Sequence, residues 1–169
     1  MSGSEPERAD FGEFVRARRQ ALLRTAYLLT GQHADAEDLV QAALIKAVPH
    51  WRKISDNPEP YVRRILARES VSRWRRRRWR EISSDDLPEV VSLDPDVAAR
   101  EDLRRALAGL APRQRAVIVL RYFEDLSEAE TADVLGIAVG TVKSQARDAL
   151  RVLRERMPAW EDELLASGR

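Results

Sequence analysis

The chain has 169 residues, which is enough for one medium-sized domain or two small ones. It contains no cysteine and only two histidines, so disulfides, thiol chemistry and zinc fingers are excluded. No apolar run approaches the roughly 20 residues that cross a membrane, and the first residues are polar and acidic. We therefore expect a cytoplasmic protein without membrane insertion.

Apolar residues at helical spacing predict three or four helices in residues 10–80. The first ends at Gly31, the second starts at Asp35 and is closed by Pro49, and the third spans about residues 58–80. These helices predict an all-helical N-terminal domain.

The net charge of +1 conceals a strong segregation of charge along the chain. Residues 73–80 contain six arginines in eight positions, whereas residues 81–102 contain eight acidic residues and a single arginine. Residues 81–94 show no helical periodicity and hold serine, aspartate and proline, so they are predicted to be a flexible acidic linker.

A second helical block occupies residues 95–157 and breaks at Ala111–Pro112. The tail, residues 158–169, is short and amphipathic and receives no assigned role. The predicted fold class is all-α: two small helical domains joined by the linker, the C-terminal one containing a helix-turn-helix. Domains of this size are marginally stable alone, so docking on a larger partner is expected.

The helix-turn-helix is predicted from local signals. Ser127 and Glu130 form a capping box that begins one helix, and Gly136 occupies the left-handed position that ends it. The second helix then opens at Gly140, and the small Ala132 lets the two helices approach. The alternative is an ordinary helical hairpin inside a bundle. The polar and basic face after Gly140 favours the DNA-binding unit.

The sequence contains no P-loop, nucleophile elbow, metal cluster or glycine-rich phosphate loop. We therefore predict no catalytic residue, no metal, no cofactor and no enzymatic activity.

Three segments in this order resemble the extracytoplasmic-function (ECF) sigma factors of the sigma-70 family. They are DAEDLVQAALIKA at residues 35–47, NPEPYVRRILARESVSRWRRRR at residues 57–78, and LAPRQRAVIVLRYFEDLSEAETADVLGIAVGTVKS at residues 110–144. The two tryptophans set among the arginines, Trp74 and Trp79, resemble the pattern of the actinobacterial SigE-like branch. The resemblance implies a promoter-specificity subunit whose partners are core RNA polymerase (β′ clamp helices and β flap), promoter DNA and an anti-sigma factor.

The first segment implies a helix that docks on the β′ clamp helices. The residues implied for core polymerase binding are Asp35, Glu37, Asp38, Leu39 and Gln41. Carboxylates there would set orientation and association rate more than affinity. The alternative is that they only stabilise the positive end of the helix dipole.

The second segment implies a surface that holds melted −10 DNA. A loop pocket would take an unstacked base by packing and by hydrogen bonds, and the arginines would neutralise phosphates. The alternative for the loop is a plain polar turn with an N-cap, and the alternative for the arginines is a solvated helix end. At least one of Trp74 and Trp79 is expected to pack in the core or in an interface. Arg68 stands where family members often have asparagine. The implied −10 residues are Ile54, Ser55, Asp56, Asn57, Arg64, Arg68, Arg73, Trp74, Arg75 and Arg76.

The third segment implies a reader of duplex −35 DNA, with Val142 and Ala149 facing the core. Ala146 would touch a thymine methyl, and three arginines ahead of the reading helix would bind backbone phosphates. Asp148 stands where the family often has arginine, and it either pairs with Arg151 or faces solvent. The implied −35 residues are Thr141, Lys143, Ser144, Gln145, Ala146, Arg147, Arg113, Arg115 and Arg121.

A free-standing helix-turn-helix regulator is the alternative function. It would need a dimer interface or a sensor domain, and no ligand-type constellation supplies one. Dependence on polymerase separates the two functions.

Overall fold

The computed structural model describes residues 5–78 and 95–158, and these residues form helices and connections with no β-strand. The predicted linker, residues 81–94, and all but the first residue of the predicted tail lie outside the described residues. Within the described ranges, no helix combines the length and apolar character needed to cross a membrane. The chain divides into two compact units between Ser70 and Val71.

The first unit is built from four helices. They are α1 (Glu5–Thr30), α2 (His33–Ala47), α3 (Trp51–Ile54) and α4 (Pro58–Arg78, which continues past Ser70), with a 3-10 turn at Val48–His50 between α2 and α3.

The ends of these helices confirm two expectations and correct one. Gly31 follows α1 with φ 78°, a left-handed conformation that glycine adopts without strain. The second helix begins at His33, two residues before the predicted Asp35. Pro49 closes α2 as predicted: Val48 N donates the last helical hydrogen bond, to Leu44 O, and Pro49 has no N–H to donate the next one. Pro49 then lies near the start of the 3-10 turn.

The core of the first unit is formed by small and aliphatic side chains at helical spacing. Trp51 closes one end of it, with the rings of Phe11 and Phe14 at centroid distances of 5.0 and 5.4 Å. The buried apolar residues are Leu22, Ala26, Leu29, Ala36, Leu39, Val40, Ala43, Ala47, Trp51, Val62, Leu66 and Ala67.

Ion pairs fix α4 against the other helices of this unit. The carboxylate of Glu59 accepts hydrogen bonds from Arg18 of α1 and from Arg63, the latter at 2.6 Å. Lys46 of α2 pairs with Glu69 of α4. The Glu59 contacts thus join the first turn of α4, directly after the loop at residues 54–57, to α1, and the Lys46 pair joins the middle of α4 to α2.

In the second unit, residues 95–158 contain four further helices: α5 (Pro95–Ala108), α6 (Pro112–Ile118), α7 (Glu128–Leu135) and α8 (Val139–Arg156). After α6 the helix widens into a π-helical segment at Val119–Phe123, where Glu124 N donates to Val119 O at 3.0 Å. Aliphatic residues of α5, α6, this segment, α7 and α8 form the core.

Thr131 on α7 is fully buried, and its hydroxyl has no hydrogen-bond partner among the described residues. A buried unpaired hydroxyl costs about 1–3 kcal/mol. We therefore expect Thr131→Val to raise the free energy of unfolding by about 1 kcal/mol, measured by urea denaturation followed by circular dichroism.

The matched control is Thr25→Val. Thr25 is also buried, but its hydroxyl donates to Ala21 O at 3.3 Å, so this variant should not gain stability. An equal gain in both variants would contradict the assignment of the effect to the unpaired hydroxyl.

Candidate nucleic-acid interface

Residues 127–136 begin and end α7 as the sequence predicts. Ser127 Oγ accepts from Glu130 N at 3.1 Å, and Glu130 Oε2 accepts from Ser127 N at 2.7 Å. The hydrogen bond from the Ser127 backbone lowers the pKa of Glu130. Gly136 is left-handed (φ 66°, ψ 39°), and Ile137 N donates to Ala132 O at 3.0 Å, which closes the helix end.

The packing of α8 on α7 and α6 sets the rotation of α8. Val142 is fully buried in a cluster with Val117 and Ala132, and Ala149 is also fully buried. Both observations match the predicted core positions. The helix begins at Val139, one residue earlier than predicted, because Ala138 is its extended N-cap.

Ala146 was expected to touch a thymine methyl. It is half-buried and packs against the Val117–Ala132–Val142 cluster, so part of its surface faces inward. Thr141 and Gln145 are half-buried at the edges of the outward face. Ser144 Oγ donates to Thr141 O at 3.0 Å and retains its capacity to accept.

The outward face of α8 carries charge of both signs. The side chains of Lys143 and Arg147 are 64% and 77% exposed. Lys143 Nζ lies 3.7 Å from Glu128 Oε2, and Arg147 Nε lies 3.6 Å from Asp148 Oδ1. Asp148 thus pairs with its neighbour and not with Arg151.

Arg151 is a residue of this face that the sequence analysis did not assign to DNA. It is exposed and lies seven residues after Ser144 and four after Arg147, which places all three on one side of the helix. The seven-residue spacing between Ser144 and Arg151 is the sequence feature that indicates a shared helix face.

The three arginines predicted to bind phosphates differ in their surroundings. Arg113 is exposed. Arg115 donates through Nε to Leu107 O at 2.9 Å and through Nη2 to Ala108 O and Leu110 O at 3.2 Å each. Burial lowers its pKa. The guanidinium of Arg115 therefore satisfies the end of α5, and a phosphate contact would compete with that role.

Arg121 is likewise engaged inside the chain. Its guanidinium donates to Leu126 O across the bend at Asp125, whose φ is 54°, and lies 5.8 Å from the ring centroid of Tyr122. This contact spans the connection between the π-helical segment and α7. As with Arg115, DNA binding would require the side chain to leave its carbonyl.

The loop predicted to capture a base, residues 54–57, is a tight turn. Asn57 N donates to Ile54 O at 2.9 Å, Asp56 and Asn57 are exposed, and Ile54 and Ser55 are half-buried. The rings of His50 and Tyr61 lie beside it in sequence, with centroids 5.5 Å apart and tilted by 54°. This ring pair is not predicted from the sequence.

The predicted −10 residues of α4 present a basic surface. Tyr61, Arg64 and Arg68 lie at spacings of three and four residues and so share a side of the helix. Further along, Arg75 and Arg76 are exposed, Arg73 is half-buried and Trp74 is 41% exposed.

The predicted polymerase-binding residues of α2 do not all face outward. Leu39 is fully buried, which contradicts its predicted contact with a partner; its position in the helix repeat places it in the core. Asp38 and Gln41 are exposed. The same side continues to Ile45 and Val48, which are 63% and 52% exposed and were not predicted.

Glu37 and Asp35 flank this surface at the start of α2. Glu37 is exposed, with Oε1 4.0 Å from Arg19 Nη2, and Asp35 is half-buried in the first turn. The signal for Ile45 in the sequence was its phase: it falls outside the buried series of Ala36, Val40, Ala43 and Ala47.

Across residues 5–78 and 95–158, no group of three or more histidine, cysteine, aspartate or glutamate residues is placed to hold a metal ion. The described site is thus a set of basic and polar helix faces. A helix-turn-helix with an exposed cationic second helix defines a DNA-binding protein.

Comparison with known proteins gives the family. The model "Sigma-70 region 2" matches residues 14–80, and "Sigma-70, region 4" matches residues 100–153. The chain is 41% identical to the RNA polymerase sigma-E factor of Streptomyces coelicolor, over 89% of this chain and 87% of that relative. It is 38% identical to the ECF RNA polymerase sigma factor SigL of Mycobacterium tuberculosis, over 79% and 80% of the two chains.

A solved structure agrees with these matches. The sigma factor RpoE, in complex with the anti-sigma factor NepR from Bartonella quintana, is 30% identical with a TM-score of 0.62, over 95% of this chain and 99% of that chain. This chain belongs to the ECF sigma factors of the sigma-70 family. The relatives in Streptomyces and Mycobacterium confirm the actinobacterial affinity predicted from the sequence.

Substitution of Arg115 and Arg113 separates an arginine that stabilises the fold from one that is exposed and available to bind phosphate. Arg115→Ala would leave three carbonyl groups without their charged donor, so we expect a loss of about 2–3 kcal/mol in the free energy of unfolding. Arg113→Ala should change stability by less than about 0.5 kcal/mol, because Arg113 is exposed. Urea denaturation of both variants is the measurement, and equal losses would contradict the structural role of Arg115.

Proposed function

We propose that this chain is a promoter-specificity subunit that acts in the cytoplasm with core RNA polymerase and has no catalytic activity of its own. The polymerase would supply the chemistry of RNA synthesis, while this chain would supply the sequence preference for promoter DNA. The observation that carries the proposal is the geometry of α8, whose buried Val142 and Ala149 leave a polar, cationic face turned outward.

In this proposal α8 enters the major groove of the −35 element. Its outward face supplies groups for base edges and for phosphates, the two kinds of contact that give selectivity and position. Half-buried Ala146 would contribute its exposed part, and Arg113 would hold a flanking phosphate. Arg115 and Arg121 would act mainly by fixing the frame of the unit. The proposed contacts are Thr141, Lys143, Ser144, Gln145, Ala146, Arg147, Arg151 and Arg113.

The −10 element would be held as single-stranded DNA by the turn at residues 54–57 and by α4. An unstacked base needs a ring or apolar surface on one side and polar groups at its edge. Ile54 and the Tyr61 ring offer the first, and exposed Asp56 and Asn57 offer the second. Arg64, Arg68, Arg73, Trp74, Arg75 and Arg76 would contact the backbone and neighbouring bases.

Core RNA polymerase would dock on the outward side of α2. That side combines Asp38 and Gln41 with two exposed aliphatic side chains, Ile45 and Val48. Exposed apolar side chains beside polar ones mark protein-protein contact surfaces. Glu37 and Asp35 would add charge at the edge, where it affects association rate more than affinity.

The chain would also be held inactive by an anti-sigma protein. The support is the Bartonella quintana relative, which was solved in complex with an anti-sigma factor and matches nearly the whole of this chain.

Run-off transcription with and without bacterial core RNA polymerase tests this function. We expect promoter-specific transcripts and promoter-specific DNA binding only when core enzyme is present, at a fixed salt concentration, because phosphate binding depends steeply on salt. If the chain alone bound a defined duplex tightly and core enzyme added nothing, it would be a free-standing helix-turn-helix regulator and the proposal would be wrong.

Substitution on α2 tests the docking surface. We expect Ile45→Ser to weaken core polymerase binding by about 1 kcal/mol or more, since burial of an aliphatic side chain contributes about 1.5–3 kcal/mol. The free energy of unfolding should change little, because Ile45 is 63% exposed. Fluorescence-detected binding to core enzyme is the measurement.

Val48→Ser should act in the same direction, whereas Ala17→Ser, at an exposed position of α1, is the control. Unchanged affinity in both α2 variants would rule out this side of α2 as the docking surface.

A further inference from the structure

We propose that Asp148 is a specificity-determining residue of the −35 reader, which accepts a hydrogen bond from the exocyclic amino group of a cytosine in the major groove. The inference rests on the function proposed above and adds a base and a residue to it. It begins from a departure: an acidic residue on the DNA-facing side of a helix that otherwise carries cations and polar groups.

The position of Asp148 is set by the packing of α8. Val142 and Ala149 are fully buried, and Asp148 lies four residues after Ser144 and three before Arg151 on the outward face. Its side chain is 44% exposed. The carboxylate is therefore available to a duplex that contacts this face.

Asp148 has no evident structural task. It lies in the middle of an 18-residue helix, away from both ends, where aspartate neither caps the helix nor favours the dipole. Its ion pair joins it to Arg147, 3.6 Å away, and exposed pairs of this kind add little stability. Replacing the carboxylate is therefore expected to leave the unit folded.

A carboxylate in the major groove is matched best by cytosine. The carboxylate only accepts hydrogen bonds, and the amino group of cytosine is a donor that aspartate and glutamate recognise there. Adenine N6 is also a donor, but the N7 acceptor beside it repels a carboxylate. Guanine O6 and N7 and thymine O4 are acceptors, so a duplex that presents them to Asp148 leaves the carboxylate unpaired and desolvated. The residue would select by penalising wrong bases as well as by binding the right one.

The Arg147 pair fits this role. The guanidinium lies 3.6 Å from the carboxylate in the unbound chain and would be released to bind a phosphate when the carboxylate takes a base. Glu128 makes a comparable pair with Lys143, at 3.7 Å, but it lies on α7 at the N-terminus of that helix, where a carboxylate favours the helix dipole. Glu128 therefore serves as a matched control: its substitution should change the affinity for DNA without changing the preferred base.

Selection from a −35 library tests the proposal. The full chain with core RNA polymerase selects duplexes from a pool randomised across the −35 element. We expect the wild-type enzyme to enrich cytosine at one position, with a preference of about five- to tenfold over guanine or thymine. Asp148→Ala should remove the preference at that position only. Asp148→Asn should shift it toward adenine, whose N6 and N7 match an amide.

Two further variants separate base reading from general electrostatics. Glu128→Gln removes a negative charge near the same surface and should tighten binding to all sequences alike, with the enriched bases unchanged. Glu155→Gln removes the same charge seven residues further along α8, about 10 Å away at 1.5 Å per residue, and should alter neither. Thermal unfolding of each variant checks that the unit is folded.

The outcomes are distinct. If Asp148→Ala keeps the wild-type base preferences at every position, or changes them only as Glu128→Gln does, the inference is overturned while the proposed function stands. If the wild-type holoenzyme enriches no −35 sequence at all, the proposed function fails, and the inference fails with it.

Discussion

The burial of Val142 against Ala132 and Val117 determines where the DNA-facing residues of α8 point. A helix cannot rotate about its axis once one side is packed, so the side chains opposite Val142 are presented outward together. The small Ala132 allows the close approach of α7 and α8, and the left-handed Gly136 turns the chain sharply enough to achieve it. A larger side chain at position 132 would separate the helices and displace the whole reading face, without touching any group that contacts DNA.

Arginine serves several physical purposes in this chain, and composition alone does not separate them. Arg115 is half-buried and donates to three carbonyls at the end of α5, where the desolvation cost of the guanidinium is offset by charged hydrogen bonds. Arg18 joins α1 to α4 through Glu59. Arg147 is mostly exposed on α8 and retains its hydration. The segregated positive charge of the sequence is therefore partly structural, and only its exposed fraction forms a surface that attracts DNA.

Local signals made much of the fold predictable. The capping box at Ser127 and the left-handed Gly136 depend on a few neighbouring residues, so the sequence specifies them directly. Predictions that depended on tertiary neighbours were less successful. Helical spacing places Leu39 inward, and it is buried, so only its implied contact with a partner is wrong. Ile45 is exposed because α2 packs its other side against α1. The carbonyl partners of Arg115 lie on the preceding helix and just after its end, so no short sequence motif predicts these hydrogen bonds.

The mixture of charges on α8 has a consequence for recognition. A surface made only of lysine and arginine binds any duplex, because phosphate neutralisation is independent of sequence. Carboxylates at Glu128 and Asp148 lower that general attraction in the unbound chain. A promoter-specificity subunit benefits from such restraint, since a genome offers a vast excess of competing sites and the useful quantity is the ratio of specific to non-specific binding. Core polymerase can supply the general affinity for DNA, and this leaves the smaller subunit to discriminate between sequences.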